Sequence, residues 1–199
     1  MTDPRPTVEP LDQLICAAVF MARCDGWVDN KEIAAIEAFF SATEDPVSIR
    51  RSIAKHLASP QPEDLLHRLF FVPENAHRMV MVRLLVAVAR ADGSLSESEV
   101  RWILIIGARL GIPPVVIQGQ LHAHKIHHEK PDPTFAYALL GLPEDTDIIS
   151  IQRRKESLQQ RLQRSRMERL GPAFVEAAEG LLEDLERALS IIQRDRTEQ

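Results

Sequence analysis

The sequence predicts an all-α protein, and three observations lead to that prediction. Apolar residues recur at helical spacings of three and four, and no segment shows the alternation of a half-buried strand. Aromatic residues make up only 5% of the chain and there are only eight glycines, a composition that favours helices over sheets. A polar motif centred on Asp-Gly occurs twice, each time between two apolar helical runs.

The apolar spacing and the positions of proline and glycine set the expected order of helices. We expect a flexible N-terminus at 1–10, a helical domain at 11–121, a His-rich linker at 122–131 and a small helical module at 132–199. Helices are predicted over 11–23, from 29, over 47–57, over 62–71, over the run before the second motif, over 96–110, from 114, and over 134–140, 148–167 and 172–194.

Composition excludes several classes of function. The formal net charge of −5 argues against nucleic acid as a partner, because phosphate binding requires a basic surface. No apolar run approaches the roughly 20 residues of a membrane span, so we expect a cytoplasmic protein with no direct membrane insertion. The sequence offers no Gly-rich phosphate loop and no catalytic arrangement of Ser, His and Asp. We therefore expect no enzyme, no catalytic residue and no cofactor.

The duplicated motif is predicted to form a tight turn followed by a capped helix. Glycine supplies a backbone conformation that a side chain would strain, and a capping residue exchanges hydrogen bonds with a glutamate three positions later. The residues that we assign to these turn and capping roles are Asp25, Gly26, Asp29 and Glu32 in the first copy, and Asp92, Gly93, Ser96 and Glu99 in the second.

A metal site at the same motif is the alternative interpretation. Asp-Gly followed by an aliphatic residue and a carboxylate is similar to the second half of a calcium-binding EF-hand loop, with Asp25, Asp29 and Glu32 as ligands. The two earlier ligand positions would then fall on Met21 and Arg23, which give a hard cation no oxygen. We therefore assign no metal site and keep the three carboxylates as weak candidates.

The histidines form a second weak candidate for metal binding. Four of the seven histidines lie within seven residues, and imidazole is a common transition-metal ligand. We interpret this run as a solvated linker, with Zn²⁺ or Ni²⁺ binding as the alternative. The residues concerned are His122, His124, His127 and His128.

The duplicated motif also carries a family resemblance. The pattern Ala-Arg-x-Asp-Gly-x-Val/Leu-x-x-x-Glu, present twice in register, resembles the TerB family of tellurite-resistance proteins and the related domain of the DjlA co-chaperones. The resemblance covers roughly residues 10 to 120 and implies an all-helical bundle with internal two-fold similarity and acidic residues near the turns. It implies no agreed chemistry.

The C-terminal module resembles the opening of a J-domain, by which DnaJ-type co-chaperones stimulate a DnaK-type ATPase. The resemblance rests on Asp132-Pro133, Tyr137 and Leu140-Gly141-Leu142-Pro143, followed by apolar residues of a second helix. The His-Pro-Asp signature that carries the stimulation is replaced by Gln163-Arg164-Ser165, so we do not transfer that activity. The resemblance leaves a degenerate hairpin and the basic face with which J-domains meet their chaperone, formed by Arg153, Arg154, Lys155 and Arg161.

The basic face has two interpretations. Residues 151–169 carry seven basic and two acidic side chains, whereas residues 170–186 carry five acidic and no basic ones. Two antiparallel helices of opposite charge would pair with each other and set the register of the hairpin. Alternatively, the basic surface faces a partner protein.

These features predict a non-catalytic adaptor that acts by protein–protein contact in chaperone or envelope-stress biology. Its partner would be another protein, with a DnaK-type chaperone or a membrane-associated complex as candidates. A metal-responsive stress protein that binds divalent cations is one alternative, and a DnaK-type co-chaperone is another.

Overall fold

A computed structural model describes residues 10–41, 45–58, 75–123, 131–163, 167–168 and 172–198. Within these ranges the chain forms nine α-helices and no strand, which confirms the predicted fold class. The helices are α1 (Pro10–Arg23), α2 (Asn30–Phe40), α3 (Pro46–Ala58), α4 (Asn75–Ala89), α5 (Glu97–Arg109), α6 (Pro114–Leu121), α7 (Pro133–Leu140), α8 (Ile148–Arg161) and α9 (Pro172–Glu198).

Helix α4 lies at the centre of the fold. Its apolar residues occur on all sides of the helix, and nine of them from Met79 to Ala89 are buried. A helix that is apolar all round needs neighbours on every side, and α4 packs against α1, α2, α5, α6 and α9. Helix α1 is the second structural centre, because it contacts α2, α3 and α4.

The C-terminal helices pack against the first part of the chain and share its hydrophobic core. Helix α7 lies against α6 and α9, and α6 approaches it closely at Gly119. A Cβ on Gly119 would lie 2.4 Å from the backbone nitrogen of Leu139, so only glycine allows this approach. Near the start of α9, Phe174 packs edge-on against Phe39 of α2, with ring centroids 6.0 Å apart. The packing of the two modules was not predictable from periodicity.

Polar contacts connect the same helices. The Arg83 guanidinium of α4 is paired with Asp184 of α9, whose carboxylate is buried. Arg196 near the end of α9 donates from Nε to the Tyr137 hydroxyl of α7 at 2.9 Å. Arg196 also donates to the carbonyl of Thr146, just before α8. Buried charged groups need such partners, and here the partners fix α9 on the bundle.

Most predicted helix boundaries agree with the structure to within a few residues, but one prediction was wrong. The basic helix ends at Arg161 rather than at Met167, and Leu162 is its C-cap. The four residues from 163 to 166 are all polar, so a further turn would bury no apolar side chain against the core. The predicted helix over 62–71 and residues 1–9 of the expected flexible N-terminus lie outside the described residues.

Candidate functional site

The two Asp-Gly motifs form the same tight turn. Gly26 and Gly93 have φ angles of 91° and 105°, in the region that favours glycine. In the first turn the Trp27 N–H donates to Asp25 Oδ1 at 2.9 Å. In the second the Ser94 N–H donates to Asp92 Oδ1 at the same distance. Each aspartate therefore accepts a backbone hydrogen bond that stabilises its own turn.

Each turn leads directly into a capping box. In the first copy, Asp29 accepts a hydrogen bond from the Lys31 N–H at 2.7 Å, and Glu32 accepts one from the Asp29 N–H at 2.8 Å. In the second copy, the Glu99 N–H donates to Ser96 Oγ at 3.2 Å, and Glu99 accepts from the Ser96 N–H at 2.6 Å. These contacts satisfy backbone donors at the starts of α2 and α5.

The fold brings the two copies together. The Ser98 hydroxyl, at the start of α5, donates to the Cys24 carbonyl at the end of α1 at 3.2 Å. We call residues 24–32 and 91–99 together the twin-turn site. Their juxtaposition places carboxylates from both copies in one region, although they are far apart in sequence.

Burial and like charges raise the pKa of two groups of the twin-turn site, Glu32 and Cys24. Glu32 is buried, and this burial raises its pKa from its ordinary value of 4.5 to about 7. The hydrogen bond from the Asp29 N–H opposes the rise, whereas the charges of Glu99, Asp25 and Asp92 add to it. Burial, followed by the charge of Glu99, also raises the pKa of the Cys24 thiol to about 12. The Cys24 thiol is therefore protonated at neutral pH.

The carboxylates of the EF-hand-like register are engaged with backbone donors. Asp25, Asp29 and Glu32 accept hydrogen bonds from the N–H groups of residues 27, 31 and 29, respectively. Among the described residues, no group of three or more His, Cys, Asp or Glu side chains is arranged to hold a metal ion. The geometry gives these side chains a direct role in the turn and the cap.

One member of the histidine run, His122, lies within the described residues. His122 is the C-cap of α6, and its Nδ1 lies 2.9 Å from the Gln118 carbonyl oxygen. Its ring stacks on Phe135 of α7, with centroids 4.8 Å apart. The other three candidates, His124, His127 and His128, lie outside the described residues. The described member of the run thus contacts the helices on either side of the expected linker.

The predicted basic face of α8 divides into exposed and internally bound side chains. Arg153 is exposed. Arg154 is half-buried and donates from Nε to the Leu140 carbonyl at 2.9 Å, at the end of α7. Burial, then the charge of Arg161, lowers the pKa of Arg154. Arg161 is itself half-buried.

Lys155 contacts the acidic helix. Its Nζ lies 3.8 Å from Glu186 of α9, and Gln159 donates to the same carboxylate at 3.4 Å. Since Gln159 meets the middle of α9 while the end of α9 reaches Thr146 before α8, the two helices run antiparallel. Part of the opposite charge is therefore paired inside the molecule.

Sequence reasoning missed Trp27 as a candidate interaction residue. Its side chain is 75% exposed, whereas Trp102 packs edge-on against Phe20 at a centroid distance of 4.8 Å. The available signal was its place in a polar turn, two positions from the aspartate, where the second copy has Ser94. A tryptophan outside the apolar stripe of a helix is not expected to pack in the core.

A recess between α2 and α3 is a further surface feature. It has a volume of about 340 Å³, and its lining includes the ion pair between Arg50 and Glu37, 3.0 Å apart. Ile49 and Ala34 also line it. The residues that the sequence singled out lie elsewhere.

Comparison with known proteins identifies one family. The model for "Tellurite resistance protein TerB" matches residues 12–119, which is more than half of the chain and includes both Asp-Gly turns and both capping boxes. Neither the curated proteins nor the solved structures give a match. Across the ranges that the structure describes, no helix combines the length and apolar character needed to cross a bilayer. On the family match, the chain belongs to the TerB family of tellurite resistance proteins.

Proposed function

We propose that this TerB-family protein is a non-catalytic adaptor that binds another protein through the exposed side of α8. The observation that carries the proposal is a patch formed by Ile148, Ile149 and Arg153. The two isoleucines are 45% and 60% exposed at the start of the helix, although α8 is otherwise packed in the usual amphipathic manner. Ile149 and Arg153 are four positions apart and share one face.

This patch has the composition of a protein-binding surface rather than of a solvated face. Arginine and large apolar side chains are favoured where two proteins meet, because they combine area burial with directed hydrogen bonds. Arg154 and Lys155 make internal contacts, so Arg153 is the basic residue on which we base the interaction.

The candidate partners follow from the two resemblances. The J-domain-like succession of α7, α8 and α9 supports a DnaK-type chaperone as partner, in chaperone or envelope-stress biology and in the cytoplasm. Recruitment by a membrane-associated complex is the other candidate. Stimulation of a DnaK-type ATPase is not part of the proposal, because Gln163-Arg164-Ser165 stands where the signature would be. We expect the protein to leave the rate of ATP hydrolysis by a DnaK-type chaperone unchanged.

A metal-responsive role remains the alternative within the same family. It would rest on the carboxylates of the twin-turn site, where the charges of Glu99, Asp25 and Asp92 act on Glu32, or on the histidine run. Calorimetric titration with Ca²⁺, Zn²⁺ and Ni²⁺ tests this role. Heat of binding from the intact protein that is lost in Asp25→Asn would favour it over the adaptor.

The adaptor proposal is tested by affinity capture with the full chain. Truncation before α7 is unsuitable, because it would uncover the shared core. We would compare wild type with Arg153→Glu and with the matched control Arg101→Glu, which makes the same charge reversal on the exposed side of α5. A protein recovered by wild type and by the control, but lost with Arg153→Glu, supports the proposal. Recovery of no partner, or equal recovery with all three, refutes it.

A further inference from the structure

The backbone at Trp27 is held in place by hydrogen bonds of the turn. Its N–H is bonded to Asp25 Oδ1 at 2.9 Å, and the preceding Gly26 N–H donates to the Arg23 carbonyl at 3.0 Å. The side chain nevertheless is 75% exposed. Because the backbone is already fixed, a ligand that covers the indole would order little additional chain.

The twin-turn site, to which Trp27 belongs, carries a net negative charge, because residues 24–32 and 91–99 include six acidic residues and one basic residue. Asp25 and Asp92 are exposed carboxylates from the two turns. The negative charges of both contribute to the raised pKa of Glu32, after burial and the charge of Glu99, so both lie near the start of α2. The positive charge of Lys31 interacts with the Asp92 carboxylate. Asp29 is a further carboxylate of the first copy, where it caps α2. A cation that approaches this surface meets an aromatic face and several carboxylates.

We propose that Trp27, with the carboxylates of Asp25 and Asp92, docks an arginine-bearing basic peptide segment of a partner protein. A guanidinium stacks on the indole face by cation–π attraction, and its N–H groups complement the carboxylates. Charge complementarity selects this occupant over an acidic or a purely apolar segment. The surface lies on the loops before α2 and α5, so it is separate from the α8 patch and does not depend on it.

The two copies of the motif provide an internal control. The second turn has the same Asp-Gly geometry with Ser94 in place of the tryptophan, so Trp27→Ser introduces a residue that this turn accepts. Val47 is a similarly exposed apolar residue, 58% exposed, at the start of α3. Val47→Ser therefore controls for the general loss of an exposed apolar side chain.

The experiment measures binding of a fluorescently labelled peptide of alternating Arg and Ala by anisotropy, with the full-length protein. A matching Glu-Ala peptide controls for non-specific adhesion. We expect wild type and Val47→Ser to bind the basic peptide equally, and Trp27→Ser to bind about fivefold more weakly, as one exposed cation–π contact implies. Asp25→Asn keeps an oxygen that accepts the Trp27 N–H and should weaken binding through charge alone.

A second readout comes from tryptophan fluorescence in a Trp102→Phe background, where Trp27 is the remaining indole. The basic peptide should shift or quench its emission. Equal affinity of wild type and Trp27→Ser, or an emission that does not respond at saturating peptide, overturns the proposal. Failure here leaves the result of the Arg153→Glu capture unchanged, so the two proposals are tested separately.

Discussion

Replacement of Glu32 by glutamine is the most direct test of the electrostatics of the twin-turn site. Glutamine keeps a side-chain oxygen that accepts the Asp29 N–H, which Glu32 accepts at 2.8 Å. It removes the negative charge that burial and the neighbouring carboxylates disfavour. The Glu32→Gln protein therefore mimics the protonated side chain at every pH.

The sign of the effect follows from the direction of the pKa shift. The folded-state pKa of about 7 lies above the ordinary value of 4.5, so the folded protein keeps a proton that the unfolded chain releases. The contribution of Glu32 to stability is fully present below pH 4.5 and is lost as the pH rises through 7. At about 1.4 kcal/mol per pH unit, the loss is at most about 3 kcal/mol. Burial, the largest cause of the shift, is not screened by water, whereas the charges of the exposed Asp25 and Asp92 are, so we expect a loss of about 1–3 kcal/mol.

The assay is urea unfolding of wild type and Glu32→Gln at several pH values between about 4 and 8. Subtracting the two curves removes the titration of the other groups. The wild type should lose about 1–3 kcal/mol of unfolding free energy relative to the variant as the pH rises through this window. Glu99→Gln is the matched variant in the second copy, and it should lower the pKa of Glu32 because it removes a like charge. A flat difference curve would refute the argument that burial and converging charges raise this pKa.

Three further predictions concern the packing and the polar contacts. Gly119→Ala should destabilise the protein by about 1–3 kcal/mol in urea unfolding, because the added Cβ would meet backbone atoms of α7. Gly107→Ala is the control. It should cost less, because the Cβ added there meets the end of a side chain. Equal losses would contradict this geometry. Phe40→Ala should cost about 3–5 kcal/mol, since the ring is fully buried, and a loss below about 1 kcal/mol would contradict that burial. Burial would raise the pKa of Asp12, but hydrogen bonds from α3 lower it to about 2. The ionised Asp12 should therefore stabilise the folded protein above pH 3.8, and this stabilisation should be lost as the pH falls through 2. Asp12→Asn should lack it. Unfolding that shows no difference between wild type and Asp12→Asn at neutral pH would contradict this.

The local parts of the structure were predictable from the sequence because their causes lie within a few residues. A glycine with positive φ, followed by a capping residue and a glutamate, specifies the turn and the start of the next helix without help from the rest of the chain. The all-α class followed from periodicity that extends over most of the sequence. The end of α8 was predicted less well, because where a polar helix stops depends on what its last turn packs against.

The tertiary contacts of the site were not predictable in the same way. Arg153 and Arg154 are neighbours in a basic run, but one is exposed and the other is bonded to the Leu140 carbonyl. Nothing in the composition of that run distinguishes them, since the difference depends on where α7 ends in space. The approach of the two Asp-Gly turns likewise depends on the packing of α1 and α5, where Phe20 meets Trp102.

The comparison of the two motif copies separates what folding requires from what it leaves unexplained. The aspartate, the glycine, the cap and the glutamate recur because each has a backbone hydrogen bond or a φ angle to satisfy. Trp27 and Ser94 occupy the same place in otherwise equivalent turns, so neither side chain is required by the turn itself. An indole left in water forgoes burial worth about 2 kcal/mol or more, which folding alone gives no reason to accept. If Trp27→Ser leaves the free energy of unfolding within about 0.5 kcal/mol of wild type, the tryptophan is free of any structural role. Its exposure is then best explained by a partner that covers it.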